Sequence, residues 1–353
     1  MITNEVGPMT NRYVIIGAGA IGALLAAQFE LAGRSVVLVA RGMNLAAIRE
    51  NGVVVRRPRS TETVRVPVVG GPEELQLTHD DVLVLATRTQ DAEEALSRWA
   101  WLPVSDAAGR PTLLAADLPV LTFQNGLATE DLALRRFRRV YGVSIGVAAS
   151  YLTPGEVVSP SYPVIGVVRL GRHPAPGRPD GRFGRRDVPA EQFVHDLREA
   201  GYEVEQVGDV HAYKARKLLV NVADGLDVLI GTDDERRRAR ALLVEETVAV
   251  FAAAGIEVAP AVPAQLVVEP VPGHEAGRLS TWPGSARGAA GEVDYLNGEV
   301  VQLGRRHGVP APVNERLQRL LGAQETAGLP PGTNNVGDVL VPEPGTVRAV
   351  ATT

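Results

Sequence analysis

The sequence predicts an α/β sheet domain followed by an all-helical domain. Over roughly the first two hundred residues, short apolar runs of strand length alternate with Ala- and Leu-rich stretches of helical spacing. From His211 onward the runs lengthen into amphipathic helices with no strand between them. A glycine turn joins the first strand to the first helix, which fixes where the alternation begins.

Residues 13–16 are a β-branched run ending at Gly17, and residues 21–31 carry Ala and Leu at helical spacing, so the order is strand, turn, helix. Strands are predicted over 35–40 and 81–86, with a helix over 92–101 behind the latter. A further strand is predicted over 120–123, and extended segments over 140–149 and 164–170 flank the turn-forming Pro154-Gly155. Residues 173–188 hold three Pro, three Gly and four Arg, which predicts an exposed loop inside the first domain. A helix over 190–200 and an alternating edge strand over 202–207 close that domain near Asp209. Helices are then expected over 213–222, 236–254, 290–307 and 314–321. The implied organisation is a flexible start over 1–11, a sheet domain over 12–209, a helical domain over 210–327 and a poorly ordered tail over 328–353.

A chain of 353 residues, 45% hydrophobic and 22% charged, buries a core without staples, and its length favours two domains. It has no cysteine, which removes disulfides, thiolate nucleophiles and sulfur-ligated zinc, and makes the cytoplasm the expected setting. No metal site is expected. A formal net charge of -5 gives no pull towards nucleic acid or anionic membrane, and no run approaches a membrane span. Small molecules are the expected partners of a soluble protein. The apolar helices of the second domain also offer a face on which two subunits could pair into a homodimer.

Gly17-Ala18-Gly19-Ala20-Ile21-Gly22 reads GxGxxG, and its place inside a strand-helix-strand unit makes it the fingerprint of a Rossmann-type dinucleotide-binding domain. Gly17 permits the tight turn, Gly19 lets the backbone approach a pyrophosphate, and Gly22 lets the helix pack closely on the sheet. The phosphates then lie at the positive end of the helix. Where an NAD site places an acid at the end of the second strand, this sequence has Arg41, which can fork onto a 2′-phosphate. NADP(H) is therefore favoured over NAD, the alternative for Arg41 being a solvated surface charge.

Hydride transfer to a carbonyl leaves charge on oxygen that needs a proton donor. Lys214 and Lys217 lie in His211-Ala-Tyr-Lys-Ala-Arg-Lys-Leu-Leu-Val-Asn221, with Asn221 one helical turn beyond Lys217. Two lysines on a helix are ordinarily solvated, so this pattern alone decides nothing. Glu292, in Gly291-Glu292-Val-Asp294, opens an apolar helical pattern, where an acid also serves simply to complement the helix dipole.

Taken together, the blocks at Gly17, Arg41, Phe123-Gln124-Asn125-Gly126, Lys217-Leu-Leu-Val-Asn221, Ser280 and Glu292-Val-Asp294-Tyr-Leu-Asn297-Gly298 resemble the ketopantoate reductase (2-dehydropantoate 2-reductase) family in order and spacing, from Arg12 to about Leu321. The resemblance implies reduction of a 2-oxo acid by NADPH. It implies Lys217 as general acid, Glu292 holding the lysine or the substrate, Asn125 near the nicotinamide, and Asn221 and Ser280 on the substrate. Lys214 falls outside the catalytic position of the pattern and is expected at the surface. Arg88, or Thr87 by a one-residue ambiguity, stands where the family usually has a lysine near the cofactor.

The sequence departs from the pattern in the substrate half. Gly225-Leu226 replace the second amide and the proline of the usual Lys-x-x-x-Asn-x-x-x-Asn-Pro, and Gly277 and Gly284 stand where an asparagine and an aspartate are usual. Each lost neutral hydrogen bond is worth about 0.5–1.5 kcal/mol, and the glycines are expected to open volume. Three functions follow. They are reduction of ketopantoate, reduction of a different or larger ketone, β-dicarbonyl or imine, and a non-catalytic dinucleotide-binding regulator. Retention of Lys217 and Glu292 speaks against the last.

Overall fold

The computed structural model describes residues 11–151, 153–175, 188–261, 266–274 and 291–341. Strand β1 (Arg12–Ile16) leads through the glycine turn into α1 (Ala20–Leu31), β2 (Ser35–Val39) and α2 (Gly42–Asn51). There follow β3 (Val53–Arg56), β4 (Thr61–Val64), β5 (Val68–Val69), β6 (Leu77–Thr78), β7 (Asp81–Leu85) and α3 (Ala92–Ala100). Next come β8 (Pro103–Ser105), β9 (Pro111–Leu114), β10 (Pro119–Thr122), α4 (Ala128–Leu134) and β11 (Arg139–Gly146). The sheet region ends with β12 (Glu156–Val158), β13 (Val167–His173), α5 (Val188–Glu199) and β14 (Glu203–Gln206). Helices α6 (Val210–Asn221), α7 (Asp233–Ala254), α8 (Asn297–His307), α9 (Pro312–Thr326) and α10 (Val336–Leu340) follow among the described residues.

The residues form two compact units. The first holds the chain up to Lys217 together with the described part of Val258–Gly277, and the second holds Leu218–Glu257 and the described residues from 291. In the first, eight strands run in the order β14-β13-β11-β10-β7-β1-β2-β5. Strands β11, β10, β7, β1, β2 and β5 are mutually parallel, and β13 is antiparallel to β11. Both faces are covered, which is why these strands read as unbroken apolar runs: Tyr13, Ile15, Leu38 and Val84 pack on one side, and Val14, Ile16, Leu83 and Leu85 on the other. Arg12 grips the buried Asp81 with two hydrogen bonds of 2.6 and 2.7 Å, and so locks the starts of β1 and β7 together.

In the second unit α7 begins at a Thr232–Glu235 capping box and stops at Gly255 in the left-handed region (φ +66°). Leu243, Val250, Val300 and Leu317 are fully buried there. A polar spine crosses this core: Asn297 Nδ2 donates to Val222 O and to Asn314 Oδ1, and Asn314 Nδ2 donates to Glu246.

Several expectations are corrected. The helix predicted from 290 starts only at Asn297, after a 3-10 turn over Val293–Tyr295, because the buried Asn297 side chain is tied across to Val222 and Asn314. The tail predicted from Gly328 is structured as far as Val341: Val336 and Val339 are buried in α10, and Ile230 and Val336 share a backbone hydrogen bond. The chain also returns to the sheet unit after α7. Ala259 N donates to Ala212 O, Tyr162 N to Val267 O and Glu269 N to Pro160 O, a crossing that the break expected near Asp209 leaves out. Two three-stranded side sheets, β12-β3-β4 and β6-β8-β9, and helices α2 and α4 have no counterpart in the sequence reading. Residues 176–187 of the expected exposed loop and residues 1–10 lie outside the described residues. Among the described residues no helix is long and apolar enough to cross a membrane, and no acidic or histidine cluster could hold a metal.

Candidate active site

The strand order reverses beside β1: the chain leaves it for β2 on one side and later enters β7 on the other. Such a switch point opens a crevice at the carboxyl ends of the strands. The glycine turn lies there. Gly17 has φ +110°, and a Cβ on it would stand 2.9 Å from the backbone of Ala86 and Thr87 at the end of β7. A Cβ on Gly22 would stand 1.8 Å from the carbonyl oxygen of Gly17, so only glycine lets α1 start so close to β1. Around Gly19 there is open space, with nothing within 4 Å of the position a Cβ would take. Helix α1 begins with no side-chain cap and no acidic residue in its first turn, which leaves its first N–H groups and the positive end of its dipole for an outside acceptor. Ala18 is buried and its carbonyl accepts from Asn44 Nδ2; Ala20 and Ile21 are half-buried in the first turn of α1.

Arg41 caps α2 directly after β2 and is largely exposed, with Glu94 at 3.7 Å. Arg88, also exposed, reaches Asp91 at 3.3 Å. Its neighbour Thr87 is the residue of the two whose polar atom is enclosed: Thr87 Oγ1 and Gln124 Oε1 are buried with no hydrogen-bond partner among the described residues. The Gln124 amide nitrogen donates to Leu85 O and Thr87 O, so the end of β10 is tied to the end of β7. Asn125 follows, half-buried, its carbonyl accepting from Thr89 Oγ1 at 3.2 Å. An open cradle at Gly19, a bare helix start and two enclosed polar atoms without partners fit a bound dinucleotide.

Lys217 joins this edge. Its Nζ donates to the carbonyl of Ile145 at 2.5 Å, near the carboxyl end of β11. In the parallel β10–β11 pairing Thr122 faces Gly142, so Ile145 lies towards the carboxyl end of β11 and Asn125 follows the carboxyl end of β10. Asn221, four residues beyond Lys217, is buried at the end of α6.

Lys214, expected at the surface, is instead buried (2% exposed) and ion-paired with the fully buried Glu130, whose Oε1 also accepts from Thr122 Oγ1 at 2.6 Å. The sequence offered no signal for this pair, because its partners stand 84 residues apart. His211, on the same helix, stacks on His173 and is held below the ordinary histidine range by burial and by that neighbouring ring.

Of the residues expected on the substrate, Glu292 is half-buried just ahead of the 3-10 turn in the second unit, and Ser280 lies outside the described residues, as do Gly277 and Gly284. Gly225 does not open volume. A Cβ there would stand 2.6 Å from Leu321 Cδ1 and 3.5 Å from Leu317 Cδ2, so leucine methyls already hold the space.

Residues 13–172 match the family described as ketopantoate reductase PanE/ApbA, and residues 209–325 match ketopantoate reductase PanE/ApbA C terminal. The chain belongs to the ketopantoate reductase family. A 2-dehydropantoate 2-reductase of Archaeoglobus fulgidus is 28% identical over 89% of this chain and 98% of its own length. Among solved structures, a PanE/ApbA family ketopantoate reductase from Ralstonia eutropha JMP134 has TM-score 0.69 at 23% identity, covering 90% of this chain and 99% of its own. A D-mandelate dehydrogenase solved with NADH and anilino(oxo)acetate also has TM-score 0.69, at 20% identity and the same coverage. Both structures share the fold of the family.

Proposed function

We propose that the protein reduces the ketone of a small 2-oxo acid to the alcohol, with NADPH as reductant and Lys217 as proton donor. One observation carries this reading: the Lys217 ammonium is held on the Ile145 carbonyl near the carboxyl end of β11, and the glycine turn follows the carboxyl end of β1 in the same parallel sheet. NADPH, when bound, supplies the hydride. Gly17 to Gly22 would cradle its pyrophosphate, Arg41 its 2′-phosphate, and Asn125 would flank the nicotinamide, with Arg88 or Thr87 close to the cofactor. Lys217 would give a proton from Nζ to the carbonyl oxygen as charge builds there, and regain it from water after product leaves. Glu292, Asn221 and Ser280 are proposed to hold the substrate or the lysine. The test is loss of NADPH absorbance with ketopantoate, in the wild type and in Lys217→Ala. The variant should lose about 10²-fold or more in kcat with NADPH affinity intact; an unchanged kcat would remove Lys217 from the mechanism.

A second reading keeps the chemistry and changes the substrate. Gly225, where the family pattern has an amide, offers no side-chain hydrogen bond, and leucine methyls of Leu321 and Leu317 occupy the space beside it. This favours a 2-oxo acid less polar than ketopantoate, and the fold-sharing D-mandelate dehydrogenase is named for a 2-hydroxy acid with an apolar substituent. Phenylglyoxylate tested beside ketopantoate separates the two, since faster turnover of ketopantoate would reject the second. A cytoplasmic setting, in keeping with the absence of cysteine, and pairing of two copies through the helical unit complete the proposal. Light scattering reads the pairing.

A further inference from the structure

Three successive turns of α6 are fastened beside β11, the first and third to the sheet and the middle one to Glu130 of α4. Gly142 of β11 and Gly171 of β13 face one another in the sheet register, and together they make a notch. A Cβ on Gly142 would stand 2.8 Å from Val210 Cγ1, and one on Gly171 3.2 Å from Val210 Cβ, so the first residue of α6 sits in the space that the two missing side chains leave. One turn on, the Lys214 ammonium is paired with Glu130 of α4, whose side chain lies over Gly142 of β11, with its Cγ 3.3 Å from the position of a Cβ there. Another turn on, Lys217 reaches Ile145.

The spacing 210, 214, 217 is one face of a helix. Seven helical residues rise about 10 Å. The three strand steps from Gly142 to Ile145 also cover about 10 Å, so helix and strand advance in step. The middle fastening is the most tightly specified of the three. Both charges are out of water, Thr122 Oγ1 orients the carboxylate, and the second carboxylate oxygen has no partner among the described residues. Two elongated side chains meeting in so enclosed a place admit one longitudinal setting of the helix. A slip of one residue would leave an ammonium and a carboxylate buried apart, at a cost far above that of a surface pair.

We infer that Lys214 and Glu130 are positioning residues, which set α6 along β11 so that the Lys217 ammonium arrives at the Ile145 carbonyl. The inference rests on the reading of Lys217 as the proton donor. The pair touches neither substrate nor cofactor in this role, and its effect passes through the helix.

The test uses the full chain. Glu130→Gln alone strands a buried ammonium and is expected to lower Tm, so it does not serve by itself. The double variant Lys214→Met with Glu130→Gln removes both charges and is expected to fold, and Thr122→Val removes only the hydroxyl that orients the carboxylate. Turnover of ketopantoate, or of phenylglyoxylate if that is the faster substrate, is followed with NADPH. In the double variant kcat should fall about 10- to 100-fold, the scale of a displacement near 1 Å, while KM for NADPH stays within about twofold. Thr122→Val should show the same split in smaller measure. A double variant that folds with unchanged kcat, one that fails to fold, or one that loses kcat and NADPH binding alike assigns the pair to stability and overturns the inference. Lys217→Ala is assayed alongside. If it keeps its kcat, the proton-donor reading itself fails. If it is inactive while the double variant is not, only the positioning role falls.

Discussion

Replacing Gly19 with alanine should separate cofactor binding from folding. The backbone at Gly19 (φ −76°) is one that alanine adopts without strain, and nothing lies within 4 Å of the added Cβ. Stability should therefore hold, or rise by up to about 1 kcal/mol, through the reduced freedom of the unfolded chain. The methyl would nonetheless stand where a pyrophosphate must approach the first N–H groups of α1. Losing one charge-assisted hydrogen bond there costs about 1.5–3 kcal/mol, or roughly 10- to 150-fold in Kd. Gly22→Ala is the contrast. Its Cβ would fall 1.8 Å from Gly17 O, against a floor of 3.0 Å for real contacts, so α1 would have to retreat by about 1.2 Å. Overpacking of that kind costs about 1–3 kcal/mol and should weaken folding and binding together. Thermal melts and NADPH titration by fluorescence read both quantities. Full NADPH affinity in a folded Gly19→Ala protein would mean that the turn does not seat the pyrophosphate.

Arg41→Asp should weaken NADPH far more than NADH, because the exposed guanidinium gives up a long 3.7 Å contact with Glu94 and a carboxylate would repel a 2′-phosphate; equal losses in titrations of both would remove Arg41 from cofactor choice. Gly225→Asn should lower stability by about 1–3 kcal/mol, since the new side chain meets Leu321, and a denaturation midpoint equal to wild type would show that the leucine does not fill the space. His211 has a depressed pKa in the folded state, so the unfolded chain binds the extra proton first, and stability present above the ordinary value of 6.5 is lost as pH falls below it. Melts from pH 7 to about pH 5 should therefore show a fall in Tm that His211→Gln makes shallower; an equal slope in both proteins would assign the fall to other groups.

The parallel sheet was legible because its strands are buried on both faces and so are written as uninterrupted apolar runs between glycine turns. The glycine fingerprint was legible because its tightest clash, Gly22 against Gly17 O, lies within the motif, although the close approach of Gly17 is to Ala86 and Thr87 at the end of β7. The side sheets escaped because strands of two to four residues, such as β5 and β6, are too short to show a period. Lys214 was misplaced because helical periodicity says nothing of a carboxylate 84 residues earlier that neutralises it. The same limit applies to Gly225, whose apparent emptiness is filled by methyl groups from near the end of the helical unit. The tail failed on composition: its Pro, Gly and Thr content hides the two valines of α10 that are fully buried.

The return of residues 258–274 to the sheet unit has a consequence for biosynthesis. Pro160, Tyr162 and Ala212 wait for backbone partners that are translated only after the whole of α7. The nascent nucleotide-binding half therefore cannot finish on its own as it leaves the ribosome. It must stay open while a helix belonging to the other half is threaded out, which makes the two halves successive in sequence but simultaneous in folding.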